Sequence, residues 1–203
     1  MKIRYWLGAI ALVLGMSSCQ ESDDTPEQYP DWQNTNEQAF TKIYNEALAA
    51  KDRGEDWEVV RGVMHADNAD TENPTDYIVM EVLNRGYGDL TPNYTDTVTI
   101  HYAGKLLPST RYANGLRFDA SFYGESLDPD INPPYQSCVS SFIEGFSTAL
   151  QYMHRGEYCR VYIPYQLAYG TAESGSIPAY SMLTFDIWMV DFWHKEQGDR
   201  LFE

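Results

Sequence analysis

The chain is short of basic residues, cysteines and histidines, and each shortage excludes a class of function. Its 203 residues include 14 lysines and arginines against 30 aspartates and glutamates, a formal net charge of -16 at pH 7. A nucleic-acid partner needs a basic face for the phosphate backbone, so none is expected. The three cysteines, Cys19, Cys138 and Cys159, form no CxxC pair, which argues against a thioredoxin-like redox site and a zinc knuckle. The four histidines, His65, His101, His154 and His194, are scattered and lack the HExxH spacing of a zinc hydrolase. His101 falls in a strand pattern and His154 at a helix end, and both read as structural. No glycine-rich loop is present to cradle phosphate. The stretch 65–76 is acidic but lacks the ligand order of a calcium loop. Gly145-Phe146-Ser147-Thr148-Ala149 approaches G-x-S-x-G, lacks the last glycine, and lies within a helical pattern instead of at a strand-to-helix elbow. No nucleophile, metal or cofactor is therefore expected, and any catalysis must come from a shaped pocket.

Long apolar runs are also missing. Lys2 and Arg4 precede Leu7 to Gly15, an apolar run well short of the roughly 20 residues that cross a bilayer. The run fits the hydrophobic region of a secretory signal. Met16-Ser17-Ser18-Cys19 resembles a bacterial lipobox, which makes Cys19 the lipidated first residue of the mature chain. The alternative is an ordinary signal peptide cleaved near Ser17 or Ser18. The acidic stretch Gln20 to Pro30 reads as a flexible tether, either a plain spacer or a surface-export signal like that of Bacteroidetes lipoproteins. The expected location is the cell envelope, lipid-anchored to the outer membrane, on its periplasmic face or at the cell surface.

Hydrophobic residues are not scarce: they make up 43% of the chain, enough for one domain with a core and an extension. Sixteen tyrosines either cap sheet edges or line a surface for peptide or carbohydrate. Thr35 and Gln38 form a capping box, and Phe40, Ile43, Tyr44, Ala47 and Leu48 mark one face of a helix that Gly54 stops. Trp57, Val59 and Val60 form a small apolar element. Tyr77 to Leu83 is a strand, as is Thr97 to Tyr102, with Val98, Ile100 and Tyr102 inward and Thr97, Thr99 and His101 outward. Pro108 to Leu116 is a loop that leads to Phe118-Asp119-Ala120-Ser121, and after an exposed loop at Glu125 to Pro134, Tyr135 to Val139 is a short strand.

The chain is organised around Phe142 to Gly170. Phe142, Ile143, Phe146, Ala149, Leu150 and Met153 recur at helical spacing, and Gly156 is placed to stop that helix. Cys159, Val161 and Ile163 alternate as a half-buried strand ended by Pro164. A Cys138–Cys159 disulfide and two free thiols are both open. Leu183, Phe185, Ile187 and Met189 give the last strand. The expected division is 1–18 signal, 19–34 tether, 35–76 helical extension, 77–193 main domain and 194–203 polar tail. The fold class is α+β: an antiparallel sheet of five to six strands curled over a single short helix, with an N-terminal helical extension.

Six blocks carry a family resemblance: VTIHYAGKL (98–106), FDAS (118–121), FIEGF (142–146), MHRGE (153–157), YIPYQLAYG (162–170) and IPAYSMLTFDI (177–187). In this order they resemble the FKBP family of peptidyl-prolyl cis-trans isomerases. The resemblance implies catalytic roles for Asp119, Tyr169 and Phe146. It implies a substrate pocket of Tyr102, Phe118, Tyr135, Phe142, Ile143, Ile177 and Phe185, with Phe146 as its floor where the family usually has tryptophan. It implies no metal and no cofactor. The implied partners are proline-containing polypeptides and macrolide inhibitors of the rapamycin type, with membrane contact only through the lipid anchor. Gly124 stands near a frequent arginine that pairs with the carboxylate at the Asp119 position. The loops 108–117 and 125–134 are longer than usual, and the loop between Tyr169 and Ile177 is short. These departures support a second reading, an FKBP-like binding module with little catalysis. A third, a surface component of glycan or peptide uptake, rests only on the tyrosines and the anchor.

Overall fold

The computed structural model describes residues 28–65 and 73–194. The apolar run, Cys19, most of the tether, part of the acidic loop and the end of the polar tail lie outside these residues. The elements are α1 (Trp32–Asp52), β1 (Trp57–Arg61), β2 (Tyr77–Asn84), β3 (Thr97–Lys105), β4 (Arg117–Ala120), β5 (Tyr135–Cys138), α2 (Glu144–Leu150), β6 (Tyr158–Ile163) and β7 (Leu183–Trp193). No helix among the described residues is long and apolar enough to cross a membrane.

The strands form one antiparallel sheet in the order β1-β2-β6-β7-β3-β4. Strand β5 joins the same edge of β3 as β4: β4 pairs with Ala103 to Lys105 and β5 with Thr97 to Ile100. Two strands thus share one edge end to end, and the segment 121–134 between them loops out from it. The small apolar element at Trp57 is strand β1, paired in register from Trp57–Glu81 to Arg61–Tyr77. The extension is therefore built into the sheet and raises its strand count to seven.

Both faces of the sheet are covered at its β1–β2 end. Helix α2 lies on one, over Ile78, Met80, Val98, Ile100, Val161, Ile187 and Phe192, all buried. Helix α1 lies on the other, where Phe40 and Ala47 pack with Val79, Met182, Trp57 and Tyr162. Double coverage explains why Ile78, Val79 and Met80 are buried in succession, without the alternation of a half-exposed strand. Each fully buried aliphatic or aromatic side chain of this kind contributes about 1.5–3 kcal/mol. The alternation expected for β6 and β7 is present: Cys159, Val161 and Ile163, then Leu183, Phe185, Ile187 and Met189, are all buried. On β7 the register shifts so that Thr99 faces Asp191 and Ile100 faces Met189, leaving Val190 as a bulge residue. The bulge turns Phe192 inward as well as Met189.

Four local expectations are corrected. Helix α1 begins at Trp32, after Asp31 in a left-handed conformation with φ 48, so Thr35 is inside the helix and caps nothing. Helix α2 begins at Glu144, and Phe142 and Ile143 are extended residues before it, with ψ of 165 and 155. Gly156 has φ 74, but α2 ends at Leu150, so this glycine makes the turn into β6 and not a helix stop. Thr99 and His101 are buried, not outward to water; Phe122 stands edge-on to Trp188, the cross-strand neighbour of His101. Cys138 and Cys159 are free thiols, and burial pushes the Cys159 thiol pKa up.

His101 gives a prediction of its own. Its Nδ1 is buried with no partner among the described residues, and burial lowers its pKa from the ordinary 6.5. The unfolded chain therefore binds this proton more readily than the folded one. Stability is full above the unfolded value of about 6.5 and falls as pH drops below it towards the folded value. Urea-unfolding midpoints on either side of that pH should show this fall, and His101→Phe should flatten it. Equal pH slopes in both proteins would remove His101 as the cause.

Candidate functional site

A cleft of about 500 Å³ opens between α2, β3, β4, β7 and the 169–177 loop. Its lining includes Tyr102, Phe118, Asp119, Phe142, Ile143, Phe146, Tyr169, Ile177 and Phe185. Of the ten pocket residues named from the sequence, only Tyr135 is off this lining. It is exposed beside the wall, edge-on to Tyr102 at 5.9 Å and to Phe142 at 6.4 Å. Ser141, Ser174, Gly175 and Ser176 line the cleft and were not anticipated. The last three occupy the short loop before Ile177, whose small residues gave no chemical signal.

The floor is Phe146, which α2 carries in its first turn and which is only 2% exposed. Phe142 stacks on it at 4.6 Å. Phe185 meets it edge-to-face at 4.9 Å and Tyr102 at 5.8 Å, and Phe118 closes on Phe185 at 5.5 Å. Offset and perpendicular contacts of this kind are the favoured aromatic geometries. Alternation delivers two of these walls: Tyr102 from β3 and Phe185 from β7 lie on the same sheet face as α2. Gly104 is a further requirement that the sequence pattern did not signal. A Cβ there would meet Phe185 Cε1 at 2.5 Å and Phe118 Cζ at 2.6 Å, so these two rings sit where only glycine leaves room.

The polar groups lie at the rim. The Tyr102 hydroxyl donates to Asp119 Oδ2 at 2.9 Å. Burial, and then this bond, push the Tyr102 pKa up, so the phenol stays protonated and remains a donor. Arg117 donates to the carbonyl of Gly124, the residue near the family's frequent arginine position. Ile143 is the N-cap of α2, and its N–H belongs to no helical hydrogen bond, as a helix start requires. Tyr169 is 41% exposed. Ser147 is no nucleophile: it is buried and donates to the carbonyls of Val139 at 2.8 Å and Phe142 at 3.2 Å, tying α2 to the turn before it. No cluster of three or more His, Cys, Asp or Glu that could hold a metal occurs among the described residues.

The chain is similar to known proteins. The chain is 36% identical over 114 residues to a macrophage infectivity potentiator of Trypanosoma cruzi, covering 56% of this chain and 52% of that protein. It is 36% identical over 112 residues to the FKBP-type 22 kDa peptidyl-prolyl cis-trans isomerase of Escherichia coli, covering 54% and 47%. It thus spans about half the length of these relatives. A crystal structure of a peptidyl-prolyl cis-trans isomerase from Pseudomonas syringae shares the fold, with TM-score 0.50 and 24% identity over 77% of this chain and 96% of that one. Residues 88–190, half of the chain, match the family model of FKBP-type peptidyl-prolyl cis-trans isomerases, and the chain belongs to that family.

Proposed function

We propose that the protein catalyses cis–trans isomerisation of X–Pro bonds in exported polypeptides, without covalent chemistry. The aromatic cleft over Phe146, in a chain of this family, carries the reading. Rotation about a peptide bond meets a barrier of about 18–20 kcal/mol because resonance is lost in the twisted form. A pocket lowers that barrier by binding the twisted amide better than either planar isomer, and each tenfold gain takes about 1.4 kcal/mol. Phe146, Phe142, Tyr102 and Phe185 hold the proline ring. Phe118 and Ile177 close the sides, with Tyr135 beside the wall. The apolar walls strip water from the X–Pro carbonyl and so disfavour its charge-separated resonance form. The Ile143 N–H and the Tyr169 hydroxyl hold peptide carbonyls, and Asp119, accepting from Tyr102, sets the field beside the twisting carbonyl.

The substrates in this reading are proline-containing polypeptides. A macrolide of the rapamycin type competes for the cleft, whose volume lies in the range of small-molecule sites. The location is the cell envelope, through lipid on Cys19, and the domain runs from the extension's first strand to the end of β7. The apolar run followed by Met16-Ser17-Ser18-Cys19 supports the anchor. Metabolic labelling with a lipid precursor tests it: label lost in Cys19→Ser agrees, and label retained contradicts it.

One observation favours a second reading, a peptide-binding module with little turnover: Asp119 accepts from a tyrosine hydroxyl, and the side chain of Arg117 binds the Gly124 carbonyl. A proline-isomerisation assay on the purified protein separates the two. The double variant Tyr169→Phe, Asp119→Val is expected to lose about tenfold in kcat/KM, some 1.4 kcal/mol. Activity in the parent with an unchanged rate in this variant would overturn the residue assignment and leave the enzyme reading intact.

A further inference from the structure

The segment between β6 and β7 supplies the cleft with Tyr169 and with Ser174 to Ile177, yet has little regular structure. Such a loop presents its side chains reproducibly only if its polar groups are tied down. Internally, the Gly170 N–H donates to Tyr165 O at 2.8 Å, the Tyr180 N–H donates to Gly170 O at 3.0 Å, and Ser174 and Ile177 exchange backbone bonds at 3.0 and 2.9 Å. Tyr180 holds φ 63, a left-handed conformation for a residue with a side chain. Such a conformation persists where its surroundings over-determine it.

Those surroundings include the first turns of α1. Trp32 Nε1 donates to Ser181 Oγ at 2.8 Å, and the Ser181 hydroxyl donates to Pro178 O at 2.7 Å. Asn36 Oδ1 accepts from the Met182 N–H at 2.9 Å, and Asn36 Nδ2 donates to Trp32 O at 2.7 Å. Glu37 accepts from the Tyr165 hydroxyl at 3.0 Å, and the Tyr165 ring stands edge-on to Tyr180 at 5.3 Å. Asn36 is 1% exposed and Ser181 3%. Two buried polar side chains, more than 140 positions apart in sequence, thus satisfy each other's neighbourhood where leaving either unmet costs about 1–3 kcal/mol. No residue of α1 lines the cleft.

We propose that Trp32, Asn36 and Glu37 are positioning residues for the cleft: α1 sets the rim loop that carries Tyr169 and Ile177, and so sets peptide affinity without touching the peptide. The kinetic part rests on the isomerase reading. The ring-binding floor of Phe146, Phe142, Tyr102 and Phe185 comes from other elements, so loosening the rim weakens the hold on the peptide more than it slows the rotation.

The test uses the full chain with Asn36→Leu, Glu37→Ala and Glu37→Gln, and Lys42→Ala on the exposed face of α1 as control. Asn36→Leu and Glu37→Ala should raise KM for a proline peptide by roughly fivefold, with kcat changing less. Amide hydrogen exchange should rise at Gly170 and Ile177, whose own hydrogen bonds the substitutions do not remove. Glu37→Gln keeps an acceptor for Tyr165 and should restore the parent KM, and Lys42→Ala should match the parent. Glu37 is only partly buried, so Glu37→Ala carries the test if Asn36→Leu does not fold. Folded variants with lower melting temperature, unchanged KM and unchanged exchange at Gly170 and Ile177 would overturn the proposal. If the parent has no turnover, the isomerase reading fails, and the exchange pattern alone then decides for or against positioning by α1.

Discussion

Replacing Phe146 with alanine should destabilise the protein by about 3–5 kcal/mol and remove measurable isomerase turnover. The stability term follows from place: the ring is 2% exposed and belongs to the core cluster that joins α2 to the sheet. Alanine leaves a void against Phe142, Phe185 and Tyr102, and these rings lose their common partner. The catalytic term is separate, because in the proposed function the same ring is the surface under the substrate's proline. Phe146→Leu separates the two: it refills most of the volume, so urea unfolding should show a smaller loss, while turnover still falls because the flat face is gone. A leucine variant with full turnover would mean that the floor is structural only.

The second large effect is expected from the smallest possible addition. Gly104→Ala places a methyl where Phe185 and Phe118 already stand, at 2.5 and 2.6 Å. Neither ring can yield easily: Phe185 is held edge-on by Phe146, and Phe118 by Phe185. Overpacking of this kind costs about 1–3 kcal/mol. The two rings are cleft walls, so kcat/KM should fall by about tenfold or more, at 1.4 kcal/mol per decade. Thermal melts, turnover and the ring resonances of Phe118 and Phe185 check this together. A variant with parental turnover and unmoved ring resonances would show that the walls have slack the structure does not suggest.

Much of the site could be read from residue order, for a physical reason. Strands β6 and β7 each have one buried face, so their period of two is plain in CRVYI and LTFDIWM, and it places Phe185 correctly. Helix α1 was visible from its apolar face, though not its start. A left-handed Asp31 precedes it where a capping box at Thr35 looked sufficient. The misread start of α2 has one cause. Phe142 and Ile143 continue the helical period in sequence because they too are apolar and pack against the core, but they do so as extended residues that also line the cleft, so periodicity alone reads them as helix. Strand β1 is not legible in the sequence because three apolar residues give too short a pattern to tell strand from loop. Gly104 carries no side chain, and its role appears only once two rings from β4 and β7 are seen to converge on it. The brace from α1 to the rim loop joins residues such as Asn36 and Met182, far apart in sequence, and no local pattern reports it.

The claim at the centre is that this cleft turns X–Pro bonds, and nuclear magnetic resonance of a proline-containing peptide tests it without a coupled protease. With a catalytic amount of the purified protein, exchange cross-peaks between the cis and trans forms of the peptide should appear on a time scale where the free peptide, interconverting over tens of seconds or longer, shows none. They should disappear with Phe146→Leu. Folded parent protein that binds the peptide, shifts its resonances and yields no exchange cross-peaks would contradict catalysis and leave a binding module.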